Sequence, residues 1–81
     1  MNQFLESILL DLSVGLTATD RVILLFLGEY PLGQRIEDIA RSTGSKYRQI
    51  ANEISKLTRM GLLRRVSPAT YAINTRWKET E

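Results

Sequence analysis

Two amphipathic segments joined by a very short turn constrain the fold of this chain more than any other feature. Residues 34–44, QRIEDIARSTG, repeat apolar side chains at helical spacing and stop at Gly44. Residues 45–60 carry a second such stripe, with Ser45 placed to cap the helix and Gly61 placed to end it. The turn between them is too short for an antiparallel helix pair. The stripes consist of Ile36, Ile39, Ala40 and Thr43 in the first helix, and Ile50, Ile54 and Leu57 in the second.

A capped apolar helix precedes this pair, and a short hairpin follows it. Thr17 and Asp20 have the spacing of a capping box, which predicts a helix from about residue 18 to 29, apolar on nearly all sides and central in the core. A buried strand is the alternative, but the chain has no comparable apolar run to pair with it. After the second stripe, LLRRV and YAINT predict two strands around the turn SPAT. The order predicts a mainly α fold with a small β-hairpin, built around a helix-turn-helix.

The composition excludes several classes of metal site and catalytic site. Its 81 residues suit one domain, and they include no cysteine and no histidine, the residues of thiolate and imidazole metal sites and of His-based catalysis. No Gly-rich phosphate loop and no nucleophile beside a base occurs, so an enzyme is the weakest interpretation. We expect no cofactor and no metal. The longest apolar run, from Val22 to Leu27, is far shorter than the ~20 residues that cross a bilayer, which favours a cytoplasmic protein without membrane contact.

Positive charge is concentrated in one part of the chain. Residues 1–40 hold two cations and six carboxylates, a net charge of −4, whereas residues 41–65 hold seven cations and one carboxylate, a net charge of +6. Residues 66–81 hold two of each and balance. This polarity favours a polyanion as partner for the basic part, the alternative being a solvated helix face.

These patterns resemble the winged helix-turn-helix domains of small prokaryotic and archaeal regulators of the MarR type. The resemblance covers about residues 17–74. In that family an apolar-x-x-apolar-Ala-x-x-apolar-Gly stretch forms the first helix of the motif, matched here by Ile36, Ile39, Ala40, Thr43 and Gly44. The recognition helix ends in apolar-x-x-Leu-x-x-x-Gly-Leu, matched here by Ile54, Leu57, Gly61 and Leu62. Two departures are the polar Thr43, in place of an aliphatic residue, and a very short wing turn.

The resemblance implies a sequence-specific regulator of transcription that binds double-stranded DNA, a small homodimeric repressor. Its winged domain would occupy residues 17–76, with helix 45–60 in the major groove and hairpin 62–74 as a short wing. Residues 77–81 would form a tail. Two alternatives stay open: a winged-helix module that binds proteins, and a nucleoid or replication accessory protein that binds DNA without sequence preference.

Helical geometry predicts which side chains of helix 45–60 would meet DNA. Steps of 100° per residue place Arg48, Asn52, Ser55 and Arg59 opposite the buried stripe. Arg48 can pair with guanine, and Gln49 and Asn52 offer the donor and acceptor that adenine requires, although helix solubility explains these two amides equally well. The side chains suited to phosphate are Lys46, Tyr47, Ser55, Lys56, Arg59, Arg64 and Arg65.

Three of these residues carry a further expectation. For Tyr47, packing against the preceding helix is favoured over a half-buried ring that places its hydroxyl on a phosphate. Arg64 and Arg65 are consecutive, so they cannot both point outward from a regular strand. One of them is expected to turn towards a carboxylate or a helix end.

Residues 1–16 are predicted to form an N-terminal amphipathic helix whose apolar stripe needs a partner. The stripe can pack on its own domain or form a dimer seam. The dimer is favoured, because two copies double the contacts on a palindromic site. The predicted dimer-interface residues are Phe4, Leu5, Ile8, Leu9, Leu12 and Trp77.

Overall fold

The computed structural model describes residues 15–75, so the predicted dimer-interface residues and the tail lie outside the described residues. The described chain has three helices and a three-stranded antiparallel sheet, an arrangement compatible with a winged-helix layout. Within residues 15–75, no helix is long and apolar enough to cross a membrane. The elements, in chain order, are α1 (Ala18–Gly28), β1 (Gln34–Arg35), α2 (Ile36–Thr43), α3 (Tyr47–Arg59), β2 (Leu63–Ser67) and β3 (Thr70–Ile73).

Helix α1 begins at the predicted capping box. The Thr17 backbone N–H donates to Asp20 Oδ2 at 2.9 Å, and the Asp20 N–H donates to Thr17 Oγ1 at 3.1 Å. The strand alternative is therefore wrong for this segment. The expectation of burial on nearly all sides is also wrong, because Val22 and Leu25 on the outer side of α1 stay 47% and 45% exposed.

One apolar core joins all three helices and the sheet, and both predicted stripes contribute to it. Burying a large aliphatic side chain contributes about 1.5–3 kcal/mol, so this cluster is the main source of stability. Thr43, the polar departure in the first stripe, donates its hydroxyl to the Ile39 carbonyl oxygen at 2.9 Å and so remains satisfied. The buried core residues are Ile23, Leu24, Leu27, Ile36, Ile39, Ala40, Ile50, Ile54, Leu57, Leu62, Leu63 and Ile73.

The turn between α2 and α3 is set by Gly44, which adopts the left-handed conformation with φ 69° and ψ 21°. The backbone N–H groups of Gly44 and Ser45 then return to the last carbonyls of α2, at 3.3 Å from Arg41 O and 3.0 Å from Ala40 O. The stop at Gly44 is confirmed. Ser45 is not the cap of α3, because the helix begins later and Lys46 is its N-cap residue.

The sheet contains a strand, β1, that the sequence analysis assigned to a helix. Strand order is β1-β3-β2, with Gln34 opposite Tyr71 and Arg35 opposite Thr70. A stretch of two residues has no readable period, so it looks like the start of the helix that follows it. The predicted hairpin is therefore the larger part of a three-stranded sheet.

The hairpin is short, and its tip is held against the rest of the domain. Strands β2 and β3 pair up to Ser67 and Thr70, with an irregularity that leaves Val66 as the extra residue on β2. Ala69 at the turn has a positive φ of 63°. Its carbonyl oxygen accepts a hydrogen bond of 3.0 Å from the Ile36 N–H at the start of α2, which fixes the tip beside that helix.

Candidate nucleic-acid interface

Helix α3 has one face in the core and one in solvent, as the sequence predicted. Ile50 and Leu57 are fully buried, and Ile54 is 1% exposed. The opposite face is made of polar, cationic and aromatic side chains, so α3 presents a broad polar surface on a rigid support. The predicted DNA-contacting residues that are exposed there are Lys46, Tyr47, Arg48, Gln49, Asn52, Ser55 and Arg59.

Tyr47 differs from its expected packing. Its side chain is 55% exposed, so the prediction that it packs against the preceding helix is wrong. The ring stands in the first turn of α3, next to Arg48 in sequence. This position keeps Tyr47 among the side chains that a bound nucleic acid could reach.

Lys56 is held apart from the other cations by two carboxylates. Its Nζ donates to Asp20 Oδ2 at 2.6 Å and lies 3.0 Å from Glu53 Oε2. These two carboxylates raise the pKa of Lys56, Asp20 having the larger effect. The side chain of Asp20 is fully buried, whereas that of Lys56 is one-third exposed. Lys56 thus connects α3 to α1. Because its ammonium group is held by these two carboxylates, we do not count it among the residues of the candidate interface.

The remaining cations near α3 and β2 have no carboxylate to neutralise them. Within residues 15–75, ion pairs within 4.0 Å involve Arg35 with Glu37, Arg41 with Asp38, and Lys56 as above. The one carboxylate on α3, Glu53, is the partner of Lys56. The exposed face of α3 is therefore positive without local compensation. The cations on or next to α3 and on β2 that have no ion pair within residues 15–75 are Lys46, Arg48, Arg59, Arg64 and Arg65.

The N-terminal end of α3 is itself electropositive. Its first turn contains no carboxylate, and among the described residues no side chain caps it, because the N-cap residue is Lys46. The first amides of a helix and its macrodipole favour an anion at this end. Helix α1 differs, because its N-terminus is closed by the capping box of Thr17 and Asp20.

Arg64 and Arg65 are both exposed, and alternation along β2 directs them to opposite sides of the strand. Arg64 lines an open pocket of about 270 Å³ together with Leu27 and Gly28 at the C-terminal end of α1. Neither arginine has an ion pair within residues 15–75, so the expectation that one of them turns towards a carboxylate or a helix end stays a prediction. The hairpin turn itself, SPAT at 67–70, carries no charge.

The buried Asp20, which holds Lys56, contributes to this site in a way that the sequence does not indicate. The two residues lie 36 positions apart, and the capping pattern already accounted for the carboxylate, so no local signal pointed to the pair. The ion pair fixes α3 against α1 through Lys56, a residue for which the sequence predicted only a phosphate contact.

No protein-family model, curated protein or solved structure matches this chain. Within residues 15–75, no group of three or more acidic side chains could hold a metal ion.

Proposed function

We propose that this protein is a sequence-specific, double-stranded DNA-binding regulator of transcription, with a winged helix-turn-helix made of α2, α3 and the β2–β3 hairpin. One observation carries the proposal: the solvent face of α3 combines unpaired cations with side-chain amides and no free carboxylate. Cations supply affinity for phosphates, and amides with arginine supply base recognition. A face made only for solubility usually mixes charges of both signs.

In this proposal the N-terminal half of α3 enters the major groove. A helix of 13 residues is about 20 Å long, and the groove, about 12 Å wide, admits one helix. Arg48 is the residue for guanine, and Gln49 and Asn52 are the residues for adenine. Lys46 at the helix N-terminus and Arg59 near its other end neutralise phosphates on either side of the groove.

The hairpin contributes through its strand and not through its tip. The turn is uncharged, and Ala69 is tied to the start of α2, so the tip does not project as a long wing does. Arg65, exposed on β2, is the hairpin residue that we propose contacts a phosphate. Tyr47 and Ser55 supply hydroxyl groups for further phosphate contacts.

The test is fluorescence anisotropy with two labelled duplexes, one of random sequence and one from the DNA upstream of the gene, over a series of salt concentrations. We expect tight binding that weakens steeply with salt and prefers the upstream duplex. Arg35→Ala is the control variant and should bind both duplexes as the wild type does, because Arg35 is exposed but is paired with Glu37 and lies outside α3. Transcription from the bound template then separates repression from activation.

Two results would change the assignment. Equal affinity for both duplexes would indicate a DNA-binding protein without sequence preference. Absence of binding at low salt would exclude DNA as the partner and leave the basic face of α3 as a surface for acidic proteins.

A further inference from the structure

The open pocket at the C-terminal end of α1 combines apolar walls with a cation that has no ion pair within residues 15–75. Leu27 and Ile73 supply buried aliphatic walls, and the exposed Pro31 lies beside them. Arg64 and Thr75 line the same pocket, so it also offers a guanidinium group and a hydroxyl group. The proposed function gives neither of these two residues a role.

The same pocket borders a negative end of the fold. Helix α1 ends at Gly28, which lines the pocket, and the last turn of the helix holds no basic residue. The last carbonyl groups of a helix carry partial negative charge and attract cations. Glu29, the exposed residue that follows, adds a carboxylate near this end. One pocket therefore meets a positive group on β2 and a negative helix end on α1.

We infer that this pocket binds a small zwitterion with an apolar body, an α-amino acid with an aliphatic side chain. Its carboxylate pairs with the Arg64 guanidinium, and its ammonium group lies at the carbonyl end of α1. Its side chain packs on Leu27 and Ile73. A ligand with only a negative charge would be repelled by the helix end, and one with only a positive charge would be repelled by Arg64.

The size of the pocket suits such a ligand. Its volume is about 270 Å³, whereas an apolar cavity of roughly 150 Å³ already holds a benzene molecule. The additional volume accommodates the two charged groups of an amino acid such as leucine. Pockets for drug-sized ligands measure ~300–1,000 Å³, so a much larger molecule is disfavoured here.

Strand β2 provides a matched control for the role of Arg64. Arg64 and Arg65 are both exposed, and neither has an ion pair within residues 15–75. Alternation along the strand directs them to opposite sides, and of the two only Arg64 lines the pocket. Substituting one or the other therefore separates contact with the ligand from a general effect of charge on β2.

The first experiment titrates the full chain, without DNA, with L-leucine and follows the backbone amide signals by NMR. We expect saturable shifts at Gly28, Arg64 and Thr75, with a dissociation constant of about 1 mM or lower. Affinity should fall roughly fourfold for each carbon lost in the series leucine, valine, alanine. Arg64→Gln should weaken leucine binding at least about tenfold, whereas Arg65→Gln should leave it unchanged. The dispersion of the amide signals shows that each variant is folded.

Two analogues of leucine that carry a single charge test the zwitterion assignment. Isocaproate keeps the carboxylate and the side chain but has no ammonium group, and isoamylamine keeps the ammonium group but has no carboxylate. We expect each to bind at least about tenfold more weakly than leucine. Equal affinity of isocaproate and leucine would show that the helix end has no role and would overturn the assignment.

Two further outcomes would overturn the inference. One is the absence of leucine-dependent shifts at the pocket residues, and the other is a leucine affinity that Arg64→Gln leaves unchanged. The titrations contain no DNA, so their failure leaves the proposed DNA binding untouched. Conversely, a chain that binds leucine but no duplex would contradict only the proposed function.

Discussion

Lys56 Nζ lies 2.6 Å from Asp20 Oδ2, and this ion pair joins the middle of α3 to the first turn of α1. Asp20 is fully buried, and its Oδ1 has no hydrogen-bond partner among the described residues. The same carboxylate closes the capping box with Thr17. One side chain thus starts α1 and positions the helix proposed to read DNA. A buried carboxylate is tolerated only while it has such partners.

Lys56→Met should therefore destabilise the domain although Lys56 is partly exposed. The variant keeps most of the aliphatic stem but leaves Asp20 without its cation. We expect the free energy of unfolding, measured with urea, to fall by about 2 kcal/mol. Lys46→Met, at an exposed residue with no ion pair in the described chain, should change it by less than about 0.5 kcal/mol. Equal effects of the two variants would show that the ion pair has no structural role.

The pH dependence of the free energy of unfolding should reflect the same ion pair, Asp20 with Lys56. Burial, the largest influence, raises the pKa of Asp20, but Glu53, Lys56 and Thr17 together lower it below its usual value. A lowered pKa contributes stability above the unfolded-state value of about 3.9, and this contribution is lost as the pH falls through the lower folded-state value. The raised pKa of Lys56 contributes stability below about pH 10.4, and this contribution is lost only at more alkaline pH.

We expect the urea midpoint to be nearly constant between about pH 5 and 9 and to fall below about pH 4. Asp20→Asn should lower the midpoint at neutral pH and flatten the decline in acid. Glu37→Gln, which removes a carboxylate paired with Arg35 in solvent, is the control and should follow the wild-type curve. An unchanged acid slope in Asp20→Asn would show that other carboxylates dominate the transition.

Lys56 and Arg59 lie three positions apart on α3, and they should contribute differently to DNA binding. Arg59 is exposed and unpaired within residues 15–75, so Arg59→Ala should weaken binding to every duplex and reduce the salt slope by about one unit. Lys56→Met should leave the slope unchanged, because its ammonium group is already neutralised by Asp20. A reduced slope in Lys56→Met would mean that Lys56 releases Asp20 and joins a phosphate.

Base recognition should depend on Arg48 and Asn52 in a different way. Either residue changed to alanine should lose about 1–3 kcal/mol on the preferred duplex and much less on the random one. Arg35→Ala, which removes an exposed cation paired with Glu37 outside α3, is the control for a general effect on the domain. Equal losses on both duplexes would assign Arg48 and Asn52 to phosphate contacts.

The parts of the fold that sequence predicted correctly are those with local, periodic signals. The stripe of Ile50, Ile54 and Leu57 repeats at helical spacing, and the capping box of Thr17 and Asp20 spans three positions, so each is readable in a short window. The stop at Gly44 follows from the left-handed conformation that glycine tolerates. The outward face of α3 then follows from geometry.

The remaining features depend on contacts between distant residues. Lys56 has the same local pattern whether it meets a phosphate or Asp20, and only the packing of α3 on α1 decides between them. Tyr47 had a position compatible with burial, but the preceding helix does not cover it. The N-cap of α3 is Lys46 and not Ser45, and the Ser45 N–H belongs to the turn that ends α2, where it donates to the Ala40 carbonyl oxygen.

Strand β1 was missed for a related reason, since its pairing with β3 depends on Gly33, one residue before it. Gly33 has φ 97°, and a Cβ there would lie 2.9 Å from the Tyr71 carbonyl oxygen. Gly33→Ala should therefore force β1 away from β3 and reduce the free energy of unfolding by roughly 2–4 kcal/mol. Amide hydrogen exchange should locate the lost protection on β1 and β3.

Gly44→Ala is the matched variant, because Gly44 also has a positive φ, 69°, but a Cβ there meets nothing within 4 Å. It introduces left-handed strain alone, which costs about 1–2 kcal/mol. A larger loss in Gly33→Ala than in Gly44→Ala would show that close approach to Tyr71 adds to the strain. Equal losses would mean that β1 can move away from β3 at little cost, and that the hairpin alone sustains the sheet.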